Sequence, residues 1–232
     1  MRVKVCGIRH ARDAALAVRL GADAIGLLVG QRHRSEDFLQ PEQARAIADA
    51  CPPLVTPVLV THVEEAEPVI ALARELRVTT IQMHSECSVA ALRAVRRALP
   101  GVRLLRALHA ADAQVLEQVR ALADAVDAFI VDSANAAEDR VGGTGLTHDW
   151  ALSRRIVEAS PVPVILAGGL DGGNVARAIA AVRPYAVDAN TRLRGADGFK
   201  DPAKVGAFVR AAKAGFFELA GGNGGEHGLG RP

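Results

Sequence analysis

The chain has 232 residues, of which 50% are hydrophobic and 23% charged, so it can bury one substantial core and does not belong to the class of disordered proteins. Its 28 lysines and arginines nearly balance its 26 aspartates and glutamates, and only 3% of the residues are aromatic, so nothing indicates binding to nucleic acid. No run of about 18 apolar residues predicts a membrane span, and Cys6, Cys51 and Cys87 lack disulfide or CxxC spacing. We therefore expect a cytoplasmic protein without nucleic-acid or membrane partners.

Short runs rich in β-branched and aliphatic residues alternate with amphipathic segments rich in alanine and leucine. The runs predict eight strands, at Val3–Cys6, Ala24–Val29, Leu54–Thr61, Thr79–Met83, Arg103–Leu108, Ala128–Asp132, Val162–Ala167 and Tyr185–Asp188. The segments between them predict helices, for example at Ala11–Leu20, Pro41–Ala50, Glu64–Leu76 and Asn174–Val182. Pro41 suits the first turn of its helix, where a missing N–H costs nothing.

Eight strand–helix units in about 215 residues favour an α/β fold of the (β/α)₈ TIM-barrel type over a doubly wound open sheet, which usually has fewer strands. No linker rich in Pro, Gly or Ser divides the chain, so we expect one barrel domain at residues 1–216. Residues 217–232 are glycine-rich and lack apolar periodicity, which predicts a flexible C-terminal tail.

Polar residues close most of the predicted strands, and in a TIM barrel these strand ends form the active site. They are Cys6, His33 or Arg34, Thr61 and His62, Gln82 and His84, His109, Asp132, and Asp188. Cys6 and Asp132 could form an acid/base pair, in which the thiol acts as a thiolate and the carboxyl group keeps its proton. Burial in the core would equally explain the cysteine, and capping of a loop the aspartate.

One glycine-rich loop predicts a phosphorylated small-molecule substrate, and a second lies in a loop that is long enough to be an active-site lid. Gly168 and Gly169 follow the seventh strand, and in TIM barrels the loops after strands seven and eight frequently bind phosphate through backbone N–H groups. A second cluster, Gly142-Gly-Thr-Gly145, lies in the long loop after strand six. Turns that simply require glycine are the alternative explanation.

Taken in order, several motifs make residues 2 to about 210 resemble the phosphoribosylanthranilate isomerase family of tryptophan biosynthesis. The motifs include Lys4-Val-Cys-Gly-Ile8, Gly21-Ala-Asp-Ala-Ile-Gly26, Gln82-Met-His84, Val131-Asp-Ser133, Leu166-Ala-Gly-Gly-Leu170 and Lys200-Asp201. The resemblance implies an isomerase that converts N-(5-phosphoribosyl)anthranilate to 1-(2-carboxyphenylamino)-1-deoxyribulose 5-phosphate by an Amadori rearrangement. It also implies that no metal or organic cofactor takes part, and we expect a monomer or a homodimer.

The resemblance further implies a role for each matching residue. Cys6 stands at the position of the family's general base and Asp132 at that of its general acid. The substrate-binding positions are Gln82, His84 and Asp188, and the phosphate-binding positions are Gly143, Gly145, Gly168, Gly169, Asn190 and Thr191.

Two loops depart from the family pattern. The family's Ser-Pro-Arg after strand two, whose arginine binds the anthranilate carboxylate, is absent, although Arg34 lies near its place. After strand eight, Ala189-Asn-Thr-Arg-Leu-Arg-Gly195 replaces the family's Ser-Ser-Gly-Val-Glu and adds Arg192 and Arg194. Any of the three arginines could therefore bind a carboxylate, and a related enzyme with a different aglycone remains an alternative.

Three other classes of function are less well supported. The histidines His62, His84 and His109 follow successive strands and could bind a metal, but they lack an HxH pair and a carboxylate at ligand spacing. No lysine closes a strand, as a class I aldolase would need. A non-catalytic phosphate-binding barrel would not need Cys6 and Asp132, and both are present.

Overall fold

The computed structural model describes residues 1–31, 36–110, 113–132, 134–135, 140–141 and 150–222. For residues 134–135, 140–141 and 216–222 it describes the backbone alone. Four residues predicted to belong to the site, His33, Arg34, Gly143 and Gly145, lie outside the described residues, as does the tail from residue 223 onward.

The described strands alternate with helices along the chain. The strands are β1 (Arg2–Val5), β2 (Ala24–Leu28), β3 (Thr56–Thr61), β4 (Thr80–Met83), β5 (Arg103–His109), β6 (Ala128–Asp132), β7 (Ala134–Asn135), β8 (Arg140–Val141), β9 (Val164–Leu166) and β10 (Ala186–Ala189). Eight of them form a closed parallel barrel in the order β1-β10-β9-β6-β5-β4-β3-β2, while β7 and β8 pair with each other in the loop after β6. The predicted TIM barrel is confirmed.

The helices of the described residues surround the barrel. They are α1 (Ala11–Arg19), α2 (Pro41–Asp49), α3 (Ala66–Leu76), α4 (Val89–Ala98), α5 (Val115–Leu122), α6 (Trp150–Ala159), α7 (Val175–Val182) and α8 (Pro202–Gly222). Pro41 occupies the first turn of α2, and Gln40 and Gln43 cap that turn reciprocally. The last helix continues past residue 216 to Gly222, and the flexibility of the remaining tail stays a prediction. Within the described part of the chain, no helix is both long and apolar enough to cross a membrane.

Two predicted strands begin two residues too early, and the backbone explains why. Leu54 has a φ of 72°, in the left-handed region that strands do not use, and its side chain is 98% exposed. Strand β3 therefore begins at Thr56. Strand β9 begins at Val164, one residue after Pro163, which has no N–H to donate to a neighbouring strand.

The apolar side chains form two separate cores. The larger core lies between the barrel and its helices and contains large residues from both, such as Phe129 and Phe208. The smaller core fills the barrel and takes alternate residues of the strands, for example Leu105 and Ala107 of β5. Because the side chains of a strand alternate between its two faces, the inner core fixes which polar residues point into the barrel mouth.

Candidate active site

The inward-facing positions at the carboxyl ends of the strands are polar. The period-two pattern that buries Leu105 and Ala107 inside the barrel brings His109 to the next inward position of β5. The same pattern on β6 brings Asp132 inward, and the strand register places the two residues side by side. Asp132 is only 8% exposed. The barrel order separates β6 from β1 by two strands, so Asp132 and Cys6 lie on different sides of one mouth.

A buried ion pair lies directly beside Cys6. The Lys4 ammonium is 2.7 Å from the Asp188 carboxylate, and the two side chains are 5% and 7% exposed. The pair forms because register places Lys4 opposite Asp188 where β1 and β10 close the barrel. Lys4 also interacts electrostatically with the Cys6 thiol, and each group affects the pKa of the other. The thiol, the ammonium and the carboxylate therefore act on one another inside the barrel.

The titration of Cys6 reflects both its burial and these charges. Burial is the largest effect and raises the pKa of the thiol to about 11, while Lys4 opposes that rise and Asp188 adds to it. Burial alone would lower the pKa of Lys4, but Asp188 and Cys6 together raise it above its ordinary value. Gly26 leaves room for the thiol, since a Cβ atom there would lie 2.5 Å from the Cys6 sulfur.

A polar network connects the loops after β2 and β10 above the thiol. Lys200 donates from Nζ to the Asn190 side-chain oxygen at 2.8 Å and to its backbone carbonyl at 3.1 Å. Asn190 in turn donates to Asp37 at 2.8 Å, and Arg194 forms an ion pair with the same carboxylate. Burial, as the largest effect, lowers the pKa of Lys200 to about 8, although Asp37 and Cys6 oppose it. The side chain of Asn190 is therefore engaged in this network.

The predicted phosphate-binding turn has the backbone shape that requires glycine. Gly168 and Gly169 have φ values of 84° and 63°, both in the left-handed region. Asn174 donates to the Gly169 carbonyl at 2.8 Å, and Asp171 accepts from the Asn174 backbone N–H at 3.1 Å. These bonds hold the turn against the N-terminus of α7, whose first N–H groups favour anions.

A pocket of about 370 Å³ lies beside this turn. Its lining residues are Trp150, Asp171, Gly173, Asn174, Arg177 and Arg192. Arg192 belongs to the 3₁₀ turn Thr191–Leu193 and is 2.8 Å from Asp171. Although burial opposes it, the hydrogen bond from Arg192 helps to hold the pKa of Asp171 below its usual value. Trp150 and Arg177 were not predicted as site residues, because nothing in their spacing places them near the glycine turn.

Three histidines line the side of the mouth that lies across from the glycine turn. The ring centroids of His62 and His84 are 4.8 Å apart, and those of His84 and His109 are 5.4 Å apart. Gln82 Nε2 lies 3.2 Å from His84 Nδ1, and His109 Nε2 lies 3.1 Å from the His84 carbonyl oxygen. Among the residues that the structure describes, no three His, Cys, Asp or Glu side chains are arranged to hold a metal ion.

Comparisons with known proteins agree over most of the chain. The family model described as N-(5′phosphoribosyl)anthranilate (PRA) isomerase matches residues 3–211. N-(5′-phosphoribosyl)anthranilate isomerase 2 of Methanosarcina mazei is 45% identical over 219 residues, which cover 94% of this chain and 97% of the relative.

Solved structures of this family have the same fold. The crystal structure of phosphoribosyl anthranilate isomerase from Thermotoga maritima matches with a TM-score of 0.81 and 29% identity, and covers 92% of this chain and 99% of that one. A crystal structure of the isomerase in complex with reduced 1-(o-carboxyphenylamino)-1-deoxyribulose 5-phosphate matches with a TM-score of 0.78 and 28% identity, at the same coverage.

Proposed function

The chain belongs to the N-(5′-phosphoribosyl)anthranilate isomerase family, and we propose that its barrel mouth catalyses the isomerisation of N-(5-phosphoribosyl)anthranilate in tryptophan biosynthesis. The product is 1-(2-carboxyphenylamino)-1-deoxyribulose 5-phosphate. The observation that carries the proposal is the placement of two groups at separate points of one polar mouth: the Cys6 thiol, beside the buried Lys4–Asp188 ion pair, and the buried carboxyl group of Asp132. The reaction is an internal redox-neutral rearrangement, so proton transfer by two such groups accounts for all of it.

The first step of the proposed mechanism opens the sugar ring. The carboxylic acid of Asp132 donates its proton to the ring oxygen, the bond between C1′ and that oxygen breaks, and a hydroxyl group forms at C4′. The nitrogen lone pair forms the C1′=N bond of a Schiff base. The role of general acid falls to Asp132 because its carboxyl group lies buried at the carboxyl end of a barrel strand, where it faces the mouth.

The second step removes a proton from C2′. The Cys6 thiolate takes the proton, the C–H electrons form a C1′=C2′ double bond, and the electrons of C1′=N return to nitrogen. The resulting enolamine becomes the ketone when its C2′ hydroxyl loses a proton and C1′ gains one. Because Lys4 stabilises the negative sulfur, it favours the form of Cys6 that acts as the base.

Asp188 is proposed to orient the aglycone amine. Its Oδ2 atom accepts from Lys4, whereas its Oδ1 atom is buried and has no hydrogen-bond partner among the described residues. A buried acceptor of this kind favours a ligand that supplies an N–H donor. The secondary amine that links the sugar to the aromatic ring supplies one.

The phosphate group is proposed to bind at the glycine turn. The left-handed turn of Gly168 and Gly169 exposes backbone N–H groups beside the N-terminus of α7, with Arg192 on the adjacent 3₁₀ turn. We extend this site to the backbone of Asn190 and Thr191, since that segment carries the same 3₁₀ turn. Gly143 and Gly145 belong to the proposal through the family resemblance.

Arg34 is proposed to bind the aromatic carboxylate. Arg194 is already paired with Asp37, and Arg192 with Asp171, so both guanidinium groups have a carboxylate partner. Arg34 occupies the loop after β2, as the family's carboxylate-binding arginine does. A planar guanidinium binds a carboxylate through two parallel hydrogen bonds.

The proposed site of action is the cytoplasm. Cys6 acts as a base only as a free thiol, and Cys6, Cys51 and Cys87 are all free. A reducing compartment keeps such thiols from forming disulfides.

Growth rescue tests the proposed function directly. A tryptophan-requiring cell that lacks this isomerase is supplied with the parent chain or with Cys6→Ala. We expect the parent to restore growth without tryptophan and the variant to fail at equal protein abundance. Purified parent protein should then convert phosphoribosylanthranilate to the ketone, measured by chromatography. A parent chain that neither rescues growth nor converts the substrate contradicts the proposal.

A further inference from the structure

Two buried hydrogen-bond acceptors on the histidine side of the mouth have no role in the mechanism above. They are the Oε1 atom of Gln82 and the Nδ1 atom of His109, and neither has a hydrogen-bond partner within the described ranges of the chain. Gln82 is only 2% exposed. Buried polar atoms are nearly always hydrogen-bonded, so two orphaned acceptors at a substrate site point to a ligand that donates.

The chemical identity of the His109 atom follows from its other nitrogen. His109 Nε2 lies 3.1 Å from the His84 carbonyl oxygen, which can only accept, so Nε2 must carry the hydrogen. Burial is the largest effect on the pKa of His109 and lowers it, which keeps the ring neutral. A neutral ring protonated at Nε2 has a lone pair at Nδ1. His109 therefore presents an acceptor to the site.

Gln82 is oriented by the same neighbour. Its Nε2 atom lies 3.2 Å from His84 Nδ1, and an amide nitrogen can only donate. The amide oxygen of Gln82 is thereby left as the acceptor. His84 thus orients His109 through its backbone carbonyl and Gln82 through its side chain.

The position of His109 identifies the group it meets. Register places His109 beside Asp132 on the neighbouring strand, and adjacent strands are about 4.8 Å apart. In the proposed mechanism Asp132 protonates the ring oxygen and so creates a hydroxyl group at that point of the mouth. The lone pairs of His109 Nδ1 and Gln82 Oε1 repel carboxylate and phosphate groups but accept hydrogen bonds from alcohols. This side of the mouth therefore suits the sugar hydroxyls.

On the basis of the proposed function, we infer that His109 Nδ1 and Gln82 Oε1 form a hydroxyl-binding subsite for the opened sugar chain. His109 accepts from the C4′ hydroxyl that ring opening creates, and Gln82 accepts from a neighbouring hydroxyl. The subsite stabilises the open-chain form, which has one more hydroxyl donor than the closed ring. His109 acts by binding and transfers no proton.

Two substitutions of His109 separate this role from a structural one. Asparagine places its side-chain oxygen near the position of imidazole Nδ1 and loses the contact with the His84 carbonyl. Glutamine reaches the position of imidazole Nε2 and keeps that contact, but it loses the acceptor at Nδ1. The two variants therefore each remove one half of the imidazole's hydrogen bonding.

Calorimetry measures how tightly each protein binds the product analogue. This analogue is reduced 1-(o-carboxyphenylamino)-1-deoxyribulose 5-phosphate. We expect His109→Asn to weaken binding by less than threefold and His109→Gln to weaken it by about tenfold, the loss typical of one buried neutral hydrogen bond. An analogue without the C4 hydroxyl should bind the parent and His109→Asn about tenfold less tightly, with little change for His109→Gln. Thermal unfolding of each variant checks that the fold is intact.

The opposite order of affinities overturns the inference, because it would mean that only the His84 contact matters. Equal affinities for both variants also overturn it, as does an equal loss for the analogue without the hydroxyl in all three proteins. Turnover of phosphoribosylanthranilate by the parent is measured in the same preparation. Absent turnover contradicts the proposed function, whereas turnover with the wrong order of affinities contradicts the hydroxyl-binding subsite alone.

Discussion

Lys4→Met removes the positive charge that pairs with Asp188 and acts on the Cys6 thiol, while it keeps the length and most of the shape of the side chain. The Lys4–Asp188 pair is 2.7 Å long, and both side chains are more than nine-tenths buried. Removing one partner of a buried ion pair leaves an uncompensated charge and typically costs about 3–5 kcal/mol. We expect a loss of this size in the free energy of unfolding, measured by urea denaturation. The double variant Lys4→Met/Asp188→Asn should recover a large part of it.

The same substitution should move the pH dependence of turnover. Since the pKa of the Cys6 thiol is raised to about 11, the thiolate fraction grows tenfold per pH unit through the neutral range, and kcat should grow with it. Lys4 opposes that rise in pKa, so its removal should shift the rising limb to higher pH. A charge about 4 Å away at an effective dielectric constant of about 20 contributes about 4 kcal/mol at most, or about three pH units.

Measurements of kcat between pH 6 and pH 10 give the pH profile of turnover for the parent and for Lys4→Met. We expect a shift of at least about one pH unit. Arg2→Met, at an exposed position of the same strand, is the matched control and should leave the profile unchanged. An unchanged profile in a folded, active Lys4→Met protein would refute the reasoning that Lys4 stabilises the thiolate.

Three further predictions concern other parts of the site. Asp132→Asn should lower kcat more than about 10²-fold with little change in thermal unfolding, because the amide keeps the shape of the side chain and has no acidic proton. A rate within threefold of the parent would contradict the role of Asp132 as the acid. Gly26→Ala should lower the free energy of unfolding by about 1–3 kcal/mol and displace the thiol, since the added methyl group would lie 2.5 Å from the Cys6 sulfur. An unchanged urea denaturation curve together with an unchanged kcat would contradict this packing. Arg34→Lys should raise KM for the anthranilate substrate and leave ribose 5-phosphate binding unchanged, measured by kinetics and calorimetry, and equal losses for both ligands would contradict a carboxylate contact.

The sequence was sufficient to predict the barrel because parallel strands are buried on both faces and read as short apolar runs. The sequence also predicted the position of Asp132, because the residue that ends a barrel strand lies at the rim of the barrel. Leu54 was wrongly included in a strand, because its left-handed backbone leaves no trace in an apolar run.

The interactions around the thiol could be predicted only in part. A lysine between two buried valines, Val3 and Val5, signals an inward charge that needs a partner, and closure of a barrel makes the eighth strand the place to look. Asp188 therefore could have been identified as that partner. The pairing of Arg194 with Asp37 depends on how two irregular loops meet above the barrel, and no periodicity encodes that contact. The tautomer of His109 likewise depends on the backbone carbonyl of His84, which follows β4.

Proton removal from C2′ by Cys6 is the central claim, and loss of an isotope from that carbon tests it most directly. Phosphoribosylanthranilate carrying deuterium at C2′ is incubated with the parent and with Cys6→Ser, and mass spectrometry follows the deuterium released to solvent and retained in the product. The parent should release the deuterium as it forms the ketone, and Cys6→Ser should bind the reduced product analogue normally yet release almost none, because a hydroxyl is too weak a base for a carbon-bound proton. Release at the parent's rate by Cys6→Ser would contradict the account and place the base elsewhere in the mouth.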